Sequence, residues 1–151
     1  MKNIINEPRG SKVVEVLFVV FFVGMSVVLS SAMLNNAREK NRDKQRILEV
    51  SKIQQALEMY YLDNAKYPVG TGIVLGIGDS KCLNHDGWGV QYCENPYIDP
   101  IEPDPKPVET GYVYSNNGRY DYEIDFHLEK GANKLPAGDC RAIPGPKIQC
   151  P

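Results

Sequence analysis

What this chain of 151 residues lacks defines its regions. No charged side chain occurs from Val16 to Leu34, nineteen residues in a row. There is no proline between Pro8 and Pro68, and Gly24 is the one glycine between Gly10 and Gly70. Nothing else in that span breaks a helix, and a membrane helix tolerates one glycine. No cysteine precedes Cys82. Basic excess is also missing: the net charge is −2. From Asp63 onward eight Lys/Arg face thirteen Asp/Glu, which argues against a nucleic-acid surface there. With two histidines, one tryptophan and no activated Ser or Cys, the sequence offers no catalytic constellation.

What is present falls into four zones. Residues 1–10, MKNIINEPRG, form a short polar leader with basic residues. Residues 11–34 contain the apolar run, long enough to cross a bilayer core, which takes about 20 helical residues. Residues 35–68 begin as an amphipathic helix, with Ile47, Val50, Ile53, Leu57 and Tyr60 or Tyr61 recurring every three or four places. We therefore expect one continuous helix over 13–62, about 75 Å long at 1.5 Å per residue. DNAKYP, residues 63–68, should end it, because Asp63 and Asn64 favour the turn and Pro68 forbids continuation.

Residues 69–151 hold nine of the eleven prolines and eleven of the thirteen glycines, so they read as strand and loop. The clearest element is a hairpin in which Tyr112–Tyr114 and Tyr120–Leu128 flank SNNG as the turn. The second strand alternates Tyr120, Tyr122, Ile124, Phe126 and Leu128 with Asp121, Glu123, Asp125, His127 and Glu129. The apolar set should lie on the amphipathic part of the helix. GTGIVLGIG reads as loop and edge strand, and YIDPIEPDPKP as a proline-stiffened connection. The fold class is α+β: one long N-terminal helix on a small antiparallel sheet.

Cys82, Cys93, Cys140 and Cys150 are spaced unlike zinc ligands, and a loop-rich head with a thin core is where disulfides occur. Four cysteines allow three pairings. The local one, Cys82–Cys93 with Cys140–Cys150, closes two short loops.

Glu15 lies inside the start of the apolar run, where a charge costs up to about 2.5–3.5 kcal/mol towards the bilayer centre. Its position makes sense if the chain is cut after Gly10. The new amine on Ser11 then stands about one helical turn away, and the amine of one chain can meet the glutamate of the next.

These residues resemble the type IV pilins and pseudopilins, whose precursors have a short basic leader ending in glycine and a glutamate fifth after the cut. Gly10, Glu15, Gly24, and RDKQRILEVSKIQQALEMYYLDNAKYP carry the resemblance, which is nearest to small pilins and the major pseudopilin of type II secretion. Ser11, Lys12 and Val13 differ from the residues the family prefers after the cut, and Ala32 stands where a proline is common. The resemblance implies a pilin-like fold with a cysteine pair near its end. It implies cleavage between Gly10 and Ser11 by a prepilin peptidase, methylation of the Ser11 amine, and a role for Glu15 and Gly24 in assembly. The expected function is a non-enzymatic subunit of a type IV pilus-like surface filament. The alternatives are a pseudopilin of a type II secretion system or an anchored binding module that does not polymerise. Expected partners are copies of itself or other pilins, the peptidase, and an inner-membrane assembly platform. The precursor would be bitopic with its head outside, and the filament extracellular or periplasmic. Counting cations alone would put the head in the cytoplasm; the resemblance and the cysteines indicate the opposite.

Arg38, Arg42 and Arg46 recur every four residues and read as a basic stripe facing lipid headgroups or a neighbouring subunit, or as a solvated face. Asp99, Glu102 and Asp104 are weak calcium candidates, since a loop can converge oxygens as a flat strand cannot. No cofactor is otherwise indicated. Trp88, between glycines, reads as a core filler under a loop or an exposed binding residue.

Overall fold

The computed structural model describes residues 9–106 and 111–151, without the side chains of 9–11, 27–33 and 117. Residues 1–8 of the expected leader lie outside the described residues. One helix, α1, runs Arg9–Asn64, slightly beyond the expected 13–62 at both ends. It stops where the turn residues begin. Ala65 adopts a left-handed φ of 53°, and its N–H donates to Tyr61 O at 2.8 Å. Asn64 Nδ2 donates to Tyr60 O at 3.1 Å, so freed carbonyls of the last turn keep partners.

The chain divides into two compact units, Met1–Arg38 and Glu39–Pro151. The second contains the C-terminal part of α1 and seven strands: β1 Ile73–Leu75, β2 Cys82–Asn84, β3 Gly87–Gly89, β4 Tyr112–Gly118, β5 Asp121–Leu128, β6 Gly138–Ile143 and β7 Lys147–Gln149. Five of them form an antiparallel sheet in the order β1-β4-β5-β6-β7, so GTGIVLGIG supplies an edge strand as expected. β2 and β3 form a separate hairpin. A single bridge, Leu83 to Ile98, holds the proline-rich connection against it.

The core lies between α1 and one face of the sheet. Val50, Ile53, Leu57 and Tyr60 of the helix meet the buried β5 residues Tyr122, Ile124, Phe126 and Leu128, with Tyr112, Tyr114 and Ala142 alongside. Each fully buried large apolar side chain contributes about 1.5–3 kcal/mol. Tyrosine rings fill the end near the helix C-terminus. Tyr67 meets Tyr122 edge-on at 4.6 Å, and Trp88 meets Tyr114 edge-on at 4.9 Å. The buried Tyr114 hydroxyl donates to Pro68 O at 2.7 Å, which satisfies the one polar atom that ring brings inside. Trp88 is thus a half-buried filler. Gly76, at φ 82°, lets β1 end against the backbone of Pro103, where any Cβ would collide.

The hairpin differs from expectation in its turn. SNNG lies inside β4, and the connection is Arg119-Tyr120 between the paired Gly118 and Asp121, with a register irregularity between Asn116 and Gly118. The cause is a second partner for the strand. The N–H of Asn116 donates to Gly70 O, and its side-chain amide donates to the carbonyls of Tyr67 and Pro68. The segment after the helix therefore extends β4 beyond Tyr114. Tyr120 leaves the buried row and is exposed, with the Arg119 guanidinium 5.7 Å from its ring centre.

Both cysteine pairs are local: Cys82–Cys93 ties β2 to the loop after β3, and Cys140–Cys150 ties β6 to the residue after β7. Closing loops of this size stabilises by roughly 2–3 kcal/mol in the chain-entropy account.

Ile53 is fully buried under the sheet. Ile53→Ala should cost about 2–5 kcal/mol in guanidinium unfolding of the detergent-solubilised chain; a loss below about 1 kcal/mol would contradict this packing.

Candidate functional site

Asp43, Arg46, Val50, Ile53, Leu57 and Tyr60 follow one another at alternating steps of three and four, so the buried face of α1 extends towards its N-terminus into charged residues. Asp43 is fully buried. Its carboxylate accepts three successive backbone N–H groups beyond the end of β5: Glu129 at 2.9 Å, Lys130 at 2.8 Å and Gly131 at 2.9 Å. Gly131, at φ 80°, allows the chain to curl round the carboxylate. Arg46 is also buried. Its Nε and Nη2 grip Asp104 at 2.7 and 2.9 Å, while Nη1 donates to Asp43 at 2.8 Å and Glu129 at 2.7 Å. Arg42 adds a two-pronged contact to Glu129 from Nε at 2.7 Å and Nη2 at 2.5 Å.

This arrangement corrects the reading of the arginine stripe. Arg46 is not on an outward basic face, and Arg42 is half covered; both are spent within the chain. Only Arg38 of the three is exposed. The partners were out of sight of a local pattern, because Asp104 lies 58 residues away and Glu129 more than 80. The available signal was the helical period, which carries the buried stripe back through residues 46 and 43.

The calcium candidates are not brought together either. Asp104 is taken by Arg46 and by the N–H of Lys106, and Asp99 accepts the N–H of Tyr92 at 2.7 Å. Glu102 is exposed, while its backbone N–H donates to Glu49. The Asp99 carboxylate does lie near the sulfurs of Cys82 and Cys93, but those sulfurs are bonded to each other and are not thiolate ligands. On β5, Glu123 and Asp125 pair with Arg141, and His127 pairs with Asp139.

The first unit holds the other candidate residues. Gly10, Ser11, Glu15 and Gly24 all lie in α1. Glu15 is exposed, and no hydrogen bond or ion pair joins it to another described residue. Around it, the large apolar side chains from Val13 to Met25 are between 52% and 64% exposed. Among the described residues, a Cβ on Gly24 would meet nothing within 4 Å. Among the described residues no helix is long and apolar enough to cross a membrane; the side chains of 27–33, in the C-terminal part of the apolar run, are outside the described set.

The family model described as Type II secretion system (T2SS), protein G, matches residues 33–142. That range takes in the buried stripe of α1, the charge cluster and the sheet as far as β6; it stops short of Gly10, Ser11, Glu15 and Gly24. No curated protein and no solved structure matches the chain.

The charge cluster gives a pH dependence. Hydrogen bonds from Arg42, with those from Arg46, outweigh burial and hold the Glu129 carboxyl down at about 2, from an ordinary 4.5. A depressed carboxyl contributes stability that is present above its unfolded value and lost as pH falls through the folded one. Glu129→Gln should therefore lower the melting temperature most at neutral pH, with the gap to wild type closing between about pH 4.5 and 2. Thermal melts across that range test this; a gap constant with pH would contradict it.

Proposed function

This chain belongs to the type II secretion system protein G family, and we propose that it works there as a pseudopilin, a structural subunit that polymerises through α1. In this reading residues 1–10 are a leader, 11–34 the membrane and assembly segment, 35–68 the amphipathic helix and its end, and 69–151 the head. The precursor spans the membrane with its head on the periplasmic side. A prepilin peptidase cuts it between Gly10 and Ser11, the Ser11 amine is methylated, and the subunit joins its own copies or other pseudopilins on an assembly platform.

The observation that supports polymerisation most is the state of Glu15. It stands without a described partner on a helix whose apolar side chains are uncovered by the rest of the chain. Lipid alone covers the apolar side chains but leaves the carboxylate expensive. A bundle of such helices covers both, because the freed amine of a neighbour offers the opposite charge. Gly24, which no described residue crowds, gives a neighbouring helix a place to approach closely. The type IV surface pilus shares these features; the family match favours the secretion machine as the setting.

Replacing Glu15 separates a subunit from a simple anchored domain. Glu15→Ala should insert into membranes as well as wild type, while multimers recovered by in-membrane cross-linking fall at least about tenfold, the ratio corresponding to 1.4 kcal/mol. Undiminished multimers in the variant would instead favour an anchored module whose glutamate plays no part in assembly.

A further inference from the structure

The two disulfides close loops of similar length in different surroundings. Cys82 is fully buried at the start of β2, and Cys93 is half-buried in the loop after β3. One oxygen of the Asp99 carboxylate and the two sulfurs lie within 4.8 Å of one another. Asp99 Oδ2 accepts the N–H of Tyr92 at 2.7 Å, which fixes the carboxylate against the residue next to Cys93. Asp99 Oδ1 is buried and has no hydrogen-bond partner among the described residues.

A carboxylate oxygen removed from water without a donor is costly. A disulfide offers it none, because neither sulfur carries a proton. A thiol does, since an S–H of either cysteine is a weak donor that Oδ1 can accept. The carboxylate therefore penalises the oxidised pair and is relieved in the reduced one. Among the described residues nothing comparable stands by Cys140–Cys150. The carboxylates that share its concavity are occupied, Asp125 by Arg141 and Asp139 by His127.

We propose that Cys82–Cys93 is a thiol–disulfide exchange site, opened and re-formed by a dithiol reductant while Cys140–Cys150 stays closed, with Asp99 setting its poise. A thiolate of the reductant attacks the more accessible sulfur, Cys93 Sγ. The S–S bond breaks, and Cys82 Sγ leaves with the electron pair, takes up a proton and donates it in a hydrogen bond to Asp99 Oδ1. The second thiolate of the reductant then displaces Cys93, which is protonated in turn. Two electrons and two protons have passed to the protein, and the reductant is left as a disulfide. The hairpin keeps other attachments when the bridge is open. β2 pairs with β3 from Cys82–Gly89 to Asn84–Gly87, Leu83 bridges to Ile98, Trp88 packs on Tyr114, and Asp99 still holds Tyr92. The site does not depend on assembly through α1.

Equilibrium reduction of the full-length, detergent-solubilised chain tests this. The chain is held in a series of reduced and oxidised dithiothreitol mixtures, quenched with acid and alkylated, and each bridge is read separately by peptide mass. Cys82–Cys93 should open at least tenfold more readily than Cys140–Cys150, a difference of about 30 mV or more. Asp99→Asn keeps an oxygen for the Tyr92 N–H and turns an uncharged amide towards the sulfurs. It should make Cys82–Cys93 at least tenfold harder to open and leave Cys140–Cys150 unchanged. A role for Asp99 in the fold alone would move the variant the other way, because a loosened hairpin is reduced more easily. The proposal is overturned if both bridges open together, if Cys140–Cys150 opens first, or if the Asp99→Asn bridge opens as readily as wild type or more so.

Discussion

A carboxylate removed from water, Asp43, fixes the geometry of the head. Left unpaired, a buried charge would cost several kcal/mol. Here it is answered by three backbone N–H groups and Arg46, and each answer imposes a position on another part of the chain. The N–H groups place the end of β5 on the helix. Arg46 then reaches Asp104, which sets where the proline-rich connection passes. Glu129 closes the circuit with Arg42 and Arg46. Apolar packing of Val50, Ile53 and Leu57 supplies the larger favourable energy, but it is non-directional; the charges set the register between helix and sheet. Further along α1 the same device recurs in milder form. Glu49 accepts the N–H of Glu102, and Gln54 donates to the carbonyls of Ile143 and Lys147.

One face of the helix is thereby consumed, and that is what makes the remaining surface informative. The cations tied up with Glu129 and Asp104 are unavailable to any partner. In the first unit the situation is starker, since apolar side chains and a lone carboxylate lie exposed together. The charges buried under the sheet are paired within the chain, whereas the apolar side chains of the first unit are covered by nothing described, and the proposed assembly rests on that contrast.

Much of this was legible in the sequence wherever period alone decides. Tyr122 to Leu128 alternate as a strand on a core must, and the structure buries that row. The absence of breakers between Pro8 and Pro68 made a single helix the natural reading. The local cysteine pairing is the one formed, although sequence left the connectivity open. Illegible were features that depend on residues far apart. Arg42 and Arg46 looked like surface because charge usually is, and nothing local reveals Asp104 and Glu129 folding onto them. Asp104 looked like a metal ligand for the same reason. SNNG looked like a turn because its residues suit one, and the competing partner at 67–70 appears only once the helix has ended beside it.

Of all measurements, intact mass and N-terminal sequencing of the protein taken from its native membrane bear most directly on the account. A mature chain beginning at Ser11, with a methylated amine, is the predicted result, since it creates the cation that Glu15 needs in a neighbouring subunit. A chain that still begins at Met1 would leave Glu15 without that partner and contradict assembly through α1.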